Sequence, residues 1–343
     1  MEAIYIEEQD KKTWNDFVKK NGTLLQSWQW GELKEKFSWK PYRISIKNDR
    51  KWILAAQILC YPLPLSKSFL YVSEGPVFAE NTSESEKFKV LEILIDEIKN
   101  ITQKEKSIFL RLEPFLEKET DFGEYLKEKL LKLSFIDAFE DLQPQYRLWI
   151  DLGKSEDELL AQMKHKGRYN IKIAQKHNVN IIQTNDEKML DKFYQLYLET
   201  AKRDNFSPRP KDYFENLLKL LGKENIRMYF AMYKNIPISS IWVTQFGKYA
   251  VYLYGATSSE YRETMSSYLI QWQAIKDAKK GDKKIYDLAA IAPSNEKHKW
   301  SGLRDFKMKF GGRQVNLMGC ADLVYSKFWY NLFKVAERMR RNE

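Results

Sequence analysis

Two lysines between two phenylalanines, followed by a glycine pair, make up the segment with the clearest potential for chemistry. The segment SGLRDFKMKFGG, residues 301–312, places Lys307 and Lys309 between Phe306 and Phe310. One interpretation is structural, with phenylalanines in the core, solvated lysines and a glycine turn. The other is a cation held against apolar walls, where a low dielectric strengthens its attraction for developing negative charge. The segment alone does not decide between them.

A second candidate is the most basic stretch of the chain, residues 161–185, which contains no acidic side chain. Ser155 and Glu158 form a capping box before it and predict the start of one helix. The cations of this stretch are Lys164, Lys166, Arg168, Lys172 and Lys176. A solvated helix face and a contact with phosphate or nucleic acid are equally supported by this pattern.

A third candidate is the segment RDNFSPRPKDYF, in which Arg209 lies between two prolines and precedes Tyr213 by four residues. Pro208 and Pro210 stiffen the backbone of this predicted loop. A loop of this kind can fix a guanidinium for recognition of a carboxylate or a phosphate.

These candidates must be positioned by a repeated set of elements. Residues 42–114 read in order as a hairpin, a strand ending at Gly75-Pro76, a helix and a strand. Residues 227–290 read in the same order, with a hairpin around Lys234-Asn235 and a strand ending at Gly255. The shared order predicts two copies of one α/β unit with mixed sheets flanked by helices.

Composition narrows the class of protein. A chain of 343 residues with 43% hydrophobic residues can form two packed domains, and its net charge of +10 favours polyanionic partners. Cys60 and Cys320 are too few for a disulfide framework, and residues 1–12 lack the pattern of a signal peptide. We therefore expect a cytoplasmic protein that can contact the inner membrane surface peripherally.

Common cofactor and hydrolase motifs are absent from the sequence. It contains no G-x-G-x-x-G, no P-loop and no G-x-S-x-G, and its three histidines are scattered. No glycine-rich pyrophosphate loop opens a helix after a strand, which argues against coenzyme A as donor. We expect neither a metal nor a cofactor.

Several segments, in order along nearly the whole chain, resemble the Fem family (FemABX) of non-ribosomal peptidyltransferases. They are QSWQWGELKEKFSWKP, YVSEGPV, LRLEP, RDNFSPRPKDYF, LYGATS, QWQAIKDAKKGDKKIYDLAAI and DFKMKFGG. The resemblance implies two tandem acetyltransferase-like (GNAT-like) units, residues 1–149 completed by 317–343 and residues 150–316. It also implies the compact form, because no long heptad segment marks a coiled-coil arm.

The family resemblance further implies an aminoacyltransferase. Such an enzyme takes an amino acid from aminoacyl-tRNA and joins it to the side-chain amine, lysine or ornithine, of a muramyl-pentapeptide precursor. The precursor is linked to UDP or to a lipid, and the product forms the interpeptide bridge of peptidoglycan. A monomer is expected. The competing functions are transfer of an aminoacyl or acyl group to another amine, and RNA binding without catalysis.

The resemblance also assigns roles to individual residues. Lys307, with Phe306 beside it, corresponds to the lysine that stabilises the transition state. The positions that correspond to precursor contacts are Arg209, Tyr213, Tyr254, and either Lys34 or Lys36. Lys164, Lys166, Arg168 and Lys172 then become candidate contacts for tRNA. Ala289-Ala290 replaces a glycine pair that relatives commonly have after this strand, so donor or acceptor selectivity is expected to differ.

Overall fold

The computed structural model describes residues 1–49, 51–293 and 301–342. The strands are β1 Glu2–Tyr5, β2 Lys40–Asn48, β3 Lys51–Leu63, β4 Lys67–Ser73, β5 Val77–Phe78, β6 Ser107–Glu113, β7 Phe135–Asp137, β8 Tyr146–Asp151, β9 Asn180–Thr184, β10 Ile226–Tyr233, β11 Ile236–Phe246, β12 Tyr249–Thr257, β13 Ile285–Ala290, β14 Arg313–Asn316 and β15 Ala321–Val324. The helices are α1 Lys11–Asn21, α2 Trp28–Glu35, α3 Glu84–Glu105, α4 Asp121–Lys132, α5 Glu156–Gln162, α6 His165–Lys176, α7 Glu187–Asp204, α8 Lys211–Asn225, α9 Ser266–Lys280, α10 Ser301–Lys307 and α11 Lys327–Asn342.

The chain divides into two compact units. Unit 1 comprises residues 1–145 and 316–343, and unit 2 comprises residues 146–315. These bounds differ by one to four residues from the ranges predicted above. In both the predicted and the observed division, the C-terminal segment returns to the first unit, where β15 inserts between β6 and β7.

The two sheets have matching strand orders. In unit 1 the order is β1-β2-β3-β4-β6-β15-β7, and in unit 2 it is β9-β10-β11-β12-β13-β8-β14. Each contains a parallel pair at the same place, β4 with β6 and β12 with β13. The predicted duplication of one mixed α/β unit is therefore confirmed.

Local sequence explains where individual helices begin and where hairpins turn. The β10–β11 hairpin turns at Lys234 and Asn235, which both have positive φ, as a two-residue type I′ turn requires. In unit 1, α3 begins at Ser83, whose side chain accepts a hydrogen bond from Glu86 N. Its apolar face then packs on the sheet of unit 1.

The basic stretch is two helices rather than the single predicted helix. The capping box at Ser155 and Glu158 forms as predicted, but α5 ends at Gln162 and α6 starts at His165. At the break, Lys164 N donates to the carbonyl of Lys309 over 3.1 Å. Gly167 packs so closely on the same carbonyl that an added Cβ would lie 2.6 Å from it. This contact with the lysine segment fixes where the second helix begins.

Among the residues that the structure describes, none of the helices combines the length and the apolar composition needed to cross a bilayer.

Candidate active site

Lys307 is a buried lysine at the end of α10. Its side chain is 4% exposed, and its Nζ donates a hydrogen bond of 2.7 Å to the carbonyl oxygen of Ala290. The same nitrogen lies 5.4 Å from the ring centroid of Tyr252, within the range of a cation–π contact. The apolar-walled cation considered from the sequence is thus the arrangement that the structure contains.

The ammonium group lies where two parallel strands separate. The pairing of β12 with β13 joins Tyr249–Val251 to Ile285–Asp287, and the paired register ends there. Beyond that point Lys307 contacts Ala290 on β13 and the ring of Tyr252 on β12. A positive charge therefore sits between the diverging strand ends, where a substrate carbonyl could approach it.

The glycines after the lysines are required by close packing. Gly311 and Gly312 have φ values of +77° and +87°, in the region that glycine tolerates best. A Cβ on Gly311 would lie 2.8 Å from Gln162 O, and one on Gly312 would lie 2.4 Å from Trp149 O. The predicted glycine turn therefore anchors the segment that carries Lys307 to α5 and β8.

Burial tunes the charge of this lysine. It lowers the pKa of Lys307 to about 8, and the negative charge of Asp287 partly opposes that shift. Asp287 is fully buried, accepts a hydrogen bond from Ala289 N, and pairs with Arg147 over 3.1 Å. A lysine of this pKa is mostly protonated at neutral pH and can still release its proton.

Phe306, the residue before Lys307, lines a large cleft. Its ring centroid lies 5.1 Å from that of Tyr268 and 5.3 Å from that of Phe310. The cleft has a volume of about 1110 Å³ and is lined by residues that include Arg203, Arg262, Tyr268 and Phe306. Lys309 is half-buried, and its Nζ lies 5.8 Å from the ring centroid of Tyr268.

Arg209, Tyr213 and Tyr254 meet in a second cluster, although they are distant in sequence. The guanidinium carbon of Arg209 lies 4.7 Å from the ring centroid of Tyr213, and the Tyr254 hydroxyl donates to the Tyr213 hydroxyl over 3.1 Å. The backbone N–H of Arg209 donates to the Tyr197 hydroxyl over 3.3 Å. The loop thus presents an exposed arginine whose guanidinium packs on a tyrosine ring.

A β-bulge separates this tyrosine cluster from the buried lysine. Adjacent β11 residues Trp242 and Val243 pair with Tyr254 and Tyr252, so that Leu253 is the extra residue of β12. Tyr254 and Tyr252 therefore point to opposite faces of the sheet, which a regular strand would not allow. Gly255 is also needed, since an added Cβ would lie 1.9 Å from the Tyr252 hydroxyl oxygen.

The two first-unit lysines differ in their surroundings. Lys34 Nζ lies 5.1 Å from the ring centroid of Trp30 and 5.6 Å from that of Trp39. Lys36 caps the end of α2 and is exposed. Trp30 itself is buried.

The cations of α6 fall into two groups. Lys164, immediately before the helix, and Lys166, Lys172 and Lys176 within it are exposed and able to contact a polyanion. The Arg168 guanidinium instead donates to the carbonyls of Met163 and Ala161, where it caps the end of α5. This basic side chain therefore has a structural function in the protein itself.

One group of potential metal ligands occurs among the described residues, in unit 1. Donor atoms of Glu113, Asp141 and Cys320 lie within 4.8 Å of one another. Glu113 already accepts hydrogen bonds from two backbone N–H groups, and Asp141 accepts one from Cys320 N. Burial raises the pKa of the Cys320 thiol, which disfavours the thiolate that a metal would need. The hydrogen bonds explain this group without an ion.

Three residues of the lysine site were not singled out from the sequence. They are Tyr252, Asp287 and Arg147. Asp287 and Arg147 each lie in a largely apolar strand, and a charged residue inside such a run has to find a partner in the core. That pattern could have revealed the ion pair, whereas the contact of Tyr252 depends on the bulge at Leu253.

The fold defines a class of protein with two tandem acetyltransferase-like units, as predicted. A tandem GNAT protein from the clavulanic acid biosynthesis pathway superposes with a TM-score of 0.56 at 8% identity, covering 94% of this chain and 98% of that one. The FemAB family model matches residues 9–233 and 223–338. The chain belongs to the FemAB family, which confirms the resemblance found in its sequence.

Relatives within and beyond this family cover almost the whole chain. The crystal structure of FemX superposes with a TM-score of 0.87 at 23% identity, covering 97% of this chain and 99% of that one. The lipid II:glycine glycyltransferase of Staphylococcus aureus (strain USA300) is 25% identical over 412 residues, covering 97% of this chain and 95% of the relative. L-PGS from Bacillus licheniformis shares the fold at a TM-score of 0.60 and 12% identity, covering 96% of both chains.

Proposed function

We propose that this protein transfers an amino acid from aminoacyl-tRNA to the side-chain amine of a muramyl-pentapeptide precursor, in synthesis of the peptidoglycan interpeptide bridge. The buried Lys307 ammonium between the diverging strands is the observation that carries the proposal. The family membership and the glycyltransferase name of the Staphylococcus aureus relatives support it. The acceptor side chain is lysine or ornithine.

The proposed reaction needs stabilisation of developing charge more than a covalent intermediate with the enzyme. The acceptor amine attacks the ester carbonyl of the aminoacyl-tRNA, and a tetrahedral oxyanion forms before the ribose hydroxyl leaves. The ammonium of Lys307 donates to the oxyanion or to the leaving oxygen, in a site with a low dielectric. Its lowered pKa makes proton donation to the leaving oxygen easier than from an ordinary lysine. The proton that the acceptor nitrogen loses as the amide forms passes to water or back to Lys307.

We propose that the donor occupies the cleft beside Phe306. The cleft combines the cation of Arg262 with the aromatic surfaces of Phe206 and Tyr268, a combination suited to a nucleotide end. Arg203, which also lines the cleft, is paired with Asp204. The exposed lysines of α6, namely Lys164, Lys166 and Lys172, then bind the acceptor stem of the tRNA. Phe306 limits the access of water from the cleft to the ester.

For the acceptor we propose contacts with Arg209, Tyr213 and Tyr254. The guanidinium of Arg209 is positioned by its backbone hydrogen bond to Tyr197, and it can bind a carboxylate or phosphate of the precursor. Lys36 is the better candidate for the precursor's phosphates, because Lys34 is already held by two indole rings. A lipid-linked acceptor fits the lipid II named for the relatives and implies peripheral contact with the inner membrane surface.

The direct test offers the protein UDP-linked and lipid-linked muramyl pentapeptides, with lysine or ornithine as third residue, and a mixture of charged tRNAs. Mass spectrometry should show a gain of one amino-acid residue on the third side chain, with the mass identifying the donor. Lys307→Met is the matched inactive control. Absence of a gain with every precursor, while RNA still binds, would assign the protein to RNA binding instead.

The tRNA contact has its own test. Charge reversal at Lys164, Lys166 and Lys172 should raise the KM for charged tRNA and flatten its dependence on salt, because fewer counterions are released on binding. Reversal of Lys188 and Lys192, which are exposed on α7, provides a control. An unchanged salt dependence in the α6 variant would show that its lysines are only solvated.

A further inference from the structure

The C-terminal helix α11 exposes an apolar stripe along one face. Phe328, Leu332, Val335 and Met339 are 71%, 52%, 48% and 65% exposed. Their spacing of four, three and four residues places them on a single side of the helix. Single exposed apolar residues are ordinary, but four large ones in line on one helix are not. We call these four side chains the α11 stripe.

The opposite side of α11 is fixed to unit 1. Tyr330 is buried, and its hydroxyl donates to Asp322 over 2.7 Å. Phe333 packs on Phe69 and Phe109, with ring centroids 5.5 and 5.4 Å away. The helix therefore cannot rotate to bury its stripe without breaking this packing.

Basic side chains border the stripe. Lys327, Lys334 and Arg338 recur at spacings of seven and four, so they form a row beside the apolar residues. Lys327 and Arg338 are exposed, and the C-terminal turn adds Arg340, which is 70% exposed although paired with Glu337. An apolar stripe with cations along its edge is complementary to an anionic lipid surface.

A neighbouring loop extends the same surface. Leu65, at the tip of the β3–β4 turn, is 74% exposed. Lys67, two residues later, places its Nζ 5.3 Å from the ring centroid of Trp329 on α11. The turn is thereby held beside the start of the helix, and it adds another apolar side chain and another cation.

We infer that α11 and the tip of the β3–β4 turn dock unit 1 on an anionic membrane surface, with the α11 stripe inserted into the headgroup region. This inference deepens the proposed action on a lipid-linked acceptor and rests on it for its biological role. The alternative occupant is a second copy of the chain, since an apolar stripe can also form a dimer interface. Membrane docking is favoured because Lys327, Lys334 and Arg338, the row of described charges beside the stripe, are all positive and would repel across a symmetric contact.

Vesicle binding tests the inference directly. The protein should partition onto phosphatidylcholine vesicles that contain phosphatidylglycerol, and much less onto phosphatidylcholine alone. Leu332→Glu should reduce partitioning about tenfold or more, since it places a charge on the inserted face. Leu131→Glu is the matched control, because Leu131 is 57% exposed on α4 of the same unit and should not matter. Each charge reversal at Lys327 or Arg338 should cost about fivefold.

A labelled variant reports insertion itself. Cys60 and Cys320 are both buried, so Met339→Cys can be labelled selectively with an environment-sensitive fluorophore. Its emission should shift to the blue on anionic vesicles, whereas a label on Leu131→Cys should not respond. Equal partitioning of the Leu332 and Leu131 variants, or dimers in solution that Leu332→Glu dissociates, would overturn the inference. Transfer activity measured with a UDP-linked acceptor needs no vesicle, so the two proposals fail separately.

Discussion

The two units place a buried arginine–aspartate pair at equivalent positions of their sheets and use it differently. In unit 1, Arg111 on β6 pairs with Asp322 on β15 through two hydrogen bonds of 2.7 Å. In unit 2 the residue types are exchanged, with Asp287 on β13 and Arg147 on β8. In each sheet, the ion pair thus joins the second strand of the parallel pair to the strand beside it. The arginine and the aspartate exchange places between the two sheets.

What surrounds each carboxylate distinguishes the two pairs. Asp322 also accepts a hydrogen bond from Tyr330, and Arg111 contacts Glu140 as well as two phenylalanine rings. Asp287 instead lies close enough to Lys307 to raise the pKa of that lysine, which opposes the lowering caused by burial. In unit 1, the partners of the carboxylate are therefore structural. In unit 2, the carboxylate stabilises a second buried cation. The same position is structural in one unit and part of the candidate site in the other.

The largest effect should come from breaking the pair of unit 1. Asp322→Asn leaves the buried Arg111 without its main counter-charge and should lower the free energy of unfolding by about 3–5 kcal/mol. Urea denaturation measures this loss, and hydrogen exchange at the amides of β6 and β15 reports it locally. Asp16→Asn, which removes an exposed ion pair with Lys12, should cost less than about 1 kcal/mol. A similar cost at both positions would contradict the structural role of the Arg111–Asp322 pair.

Removing Lys307 should stabilise the protein, in contrast to Asp322→Asn, and should greatly slow the transfer reaction. Lys307→Met removes one electrostatic donor and should slow transfer by about 100- to 1000-fold. It should also raise the free energy of unfolding at pH 7 by about 1–2 kcal/mol, because the relief of desolvation exceeds the lost hydrogen bond. The folded pKa lies below the ordinary lysine value, so this gain should shrink as pH rises from about 8 toward 10.5. Near-normal turnover would exclude Lys307 from the reaction.

The sequence predicted the parts of this comparison that depend on local pattern. Hairpins, helices and the duplicated order followed from periodicity and turn residues, as the β10–β11 turn at Lys234-Asn235 shows. Lys307, Phe306 and the Arg209–Tyr213–Tyr254 group were identified from motifs, and the last three do come together. Their catalytic and binding roles remain predictions.

The parts that sequence reasoning missed depend on contacts between distant segments. The break between α5 and α6 is set by the carbonyl of Lys309, which periodicity within residues 155–176 cannot reveal. The bulge at Leu253 is likewise invisible in an unbroken apolar strand, yet it decides that Tyr252 faces Lys307. Residues 294–300, between β13 and α10, lie outside the described residues.

The pH dependence of transfer should reveal which form of Lys307 is needed. Deprotonation of the acceptor amine makes kcat/KM rise with pH, and loss of the Lys307 proton should flatten that rise near pH 8. Asp287→Asn removes the charge that supports the ammonium, so the bend should move to lower pH. Asp322→Asn, in the other unit, should leave the bend where it is. A slope that steepens near pH 8 would instead show that Lys307 acts as a neutral base.

The smallest effect concerns the residue that orients the carbonyl partner of Lys307. Ala289 has a φ of +57°, which costs a residue with a β-carbon about 1–2 kcal/mol, and it lies at a register shift of β13 next to Ala290. Ala289→Gly relieves this strain but adds freedom to the unfolded chain, so stability should change by less than about 1 kcal/mol. Ala289→Val worsens the strain and should destabilise the protein by about 1–2 kcal/mol.

The control is Ala250, a buried residue of β12 that is not among the positive-φ positions. Ala250→Gly relieves no strain and should cost about 1 kcal/mol. If Ala289→Gly costs as much as Ala250→Gly, the left-handed backbone at Ala289 is not strained. In that case the expected difference in donor or acceptor selectivity does not arise from backbone strain at the alanine pair. If Ala289→Val also slows transfer while Ala289→Gly does not, the position of the Ala290 carbonyl, and through it that of Lys307, sets the rate.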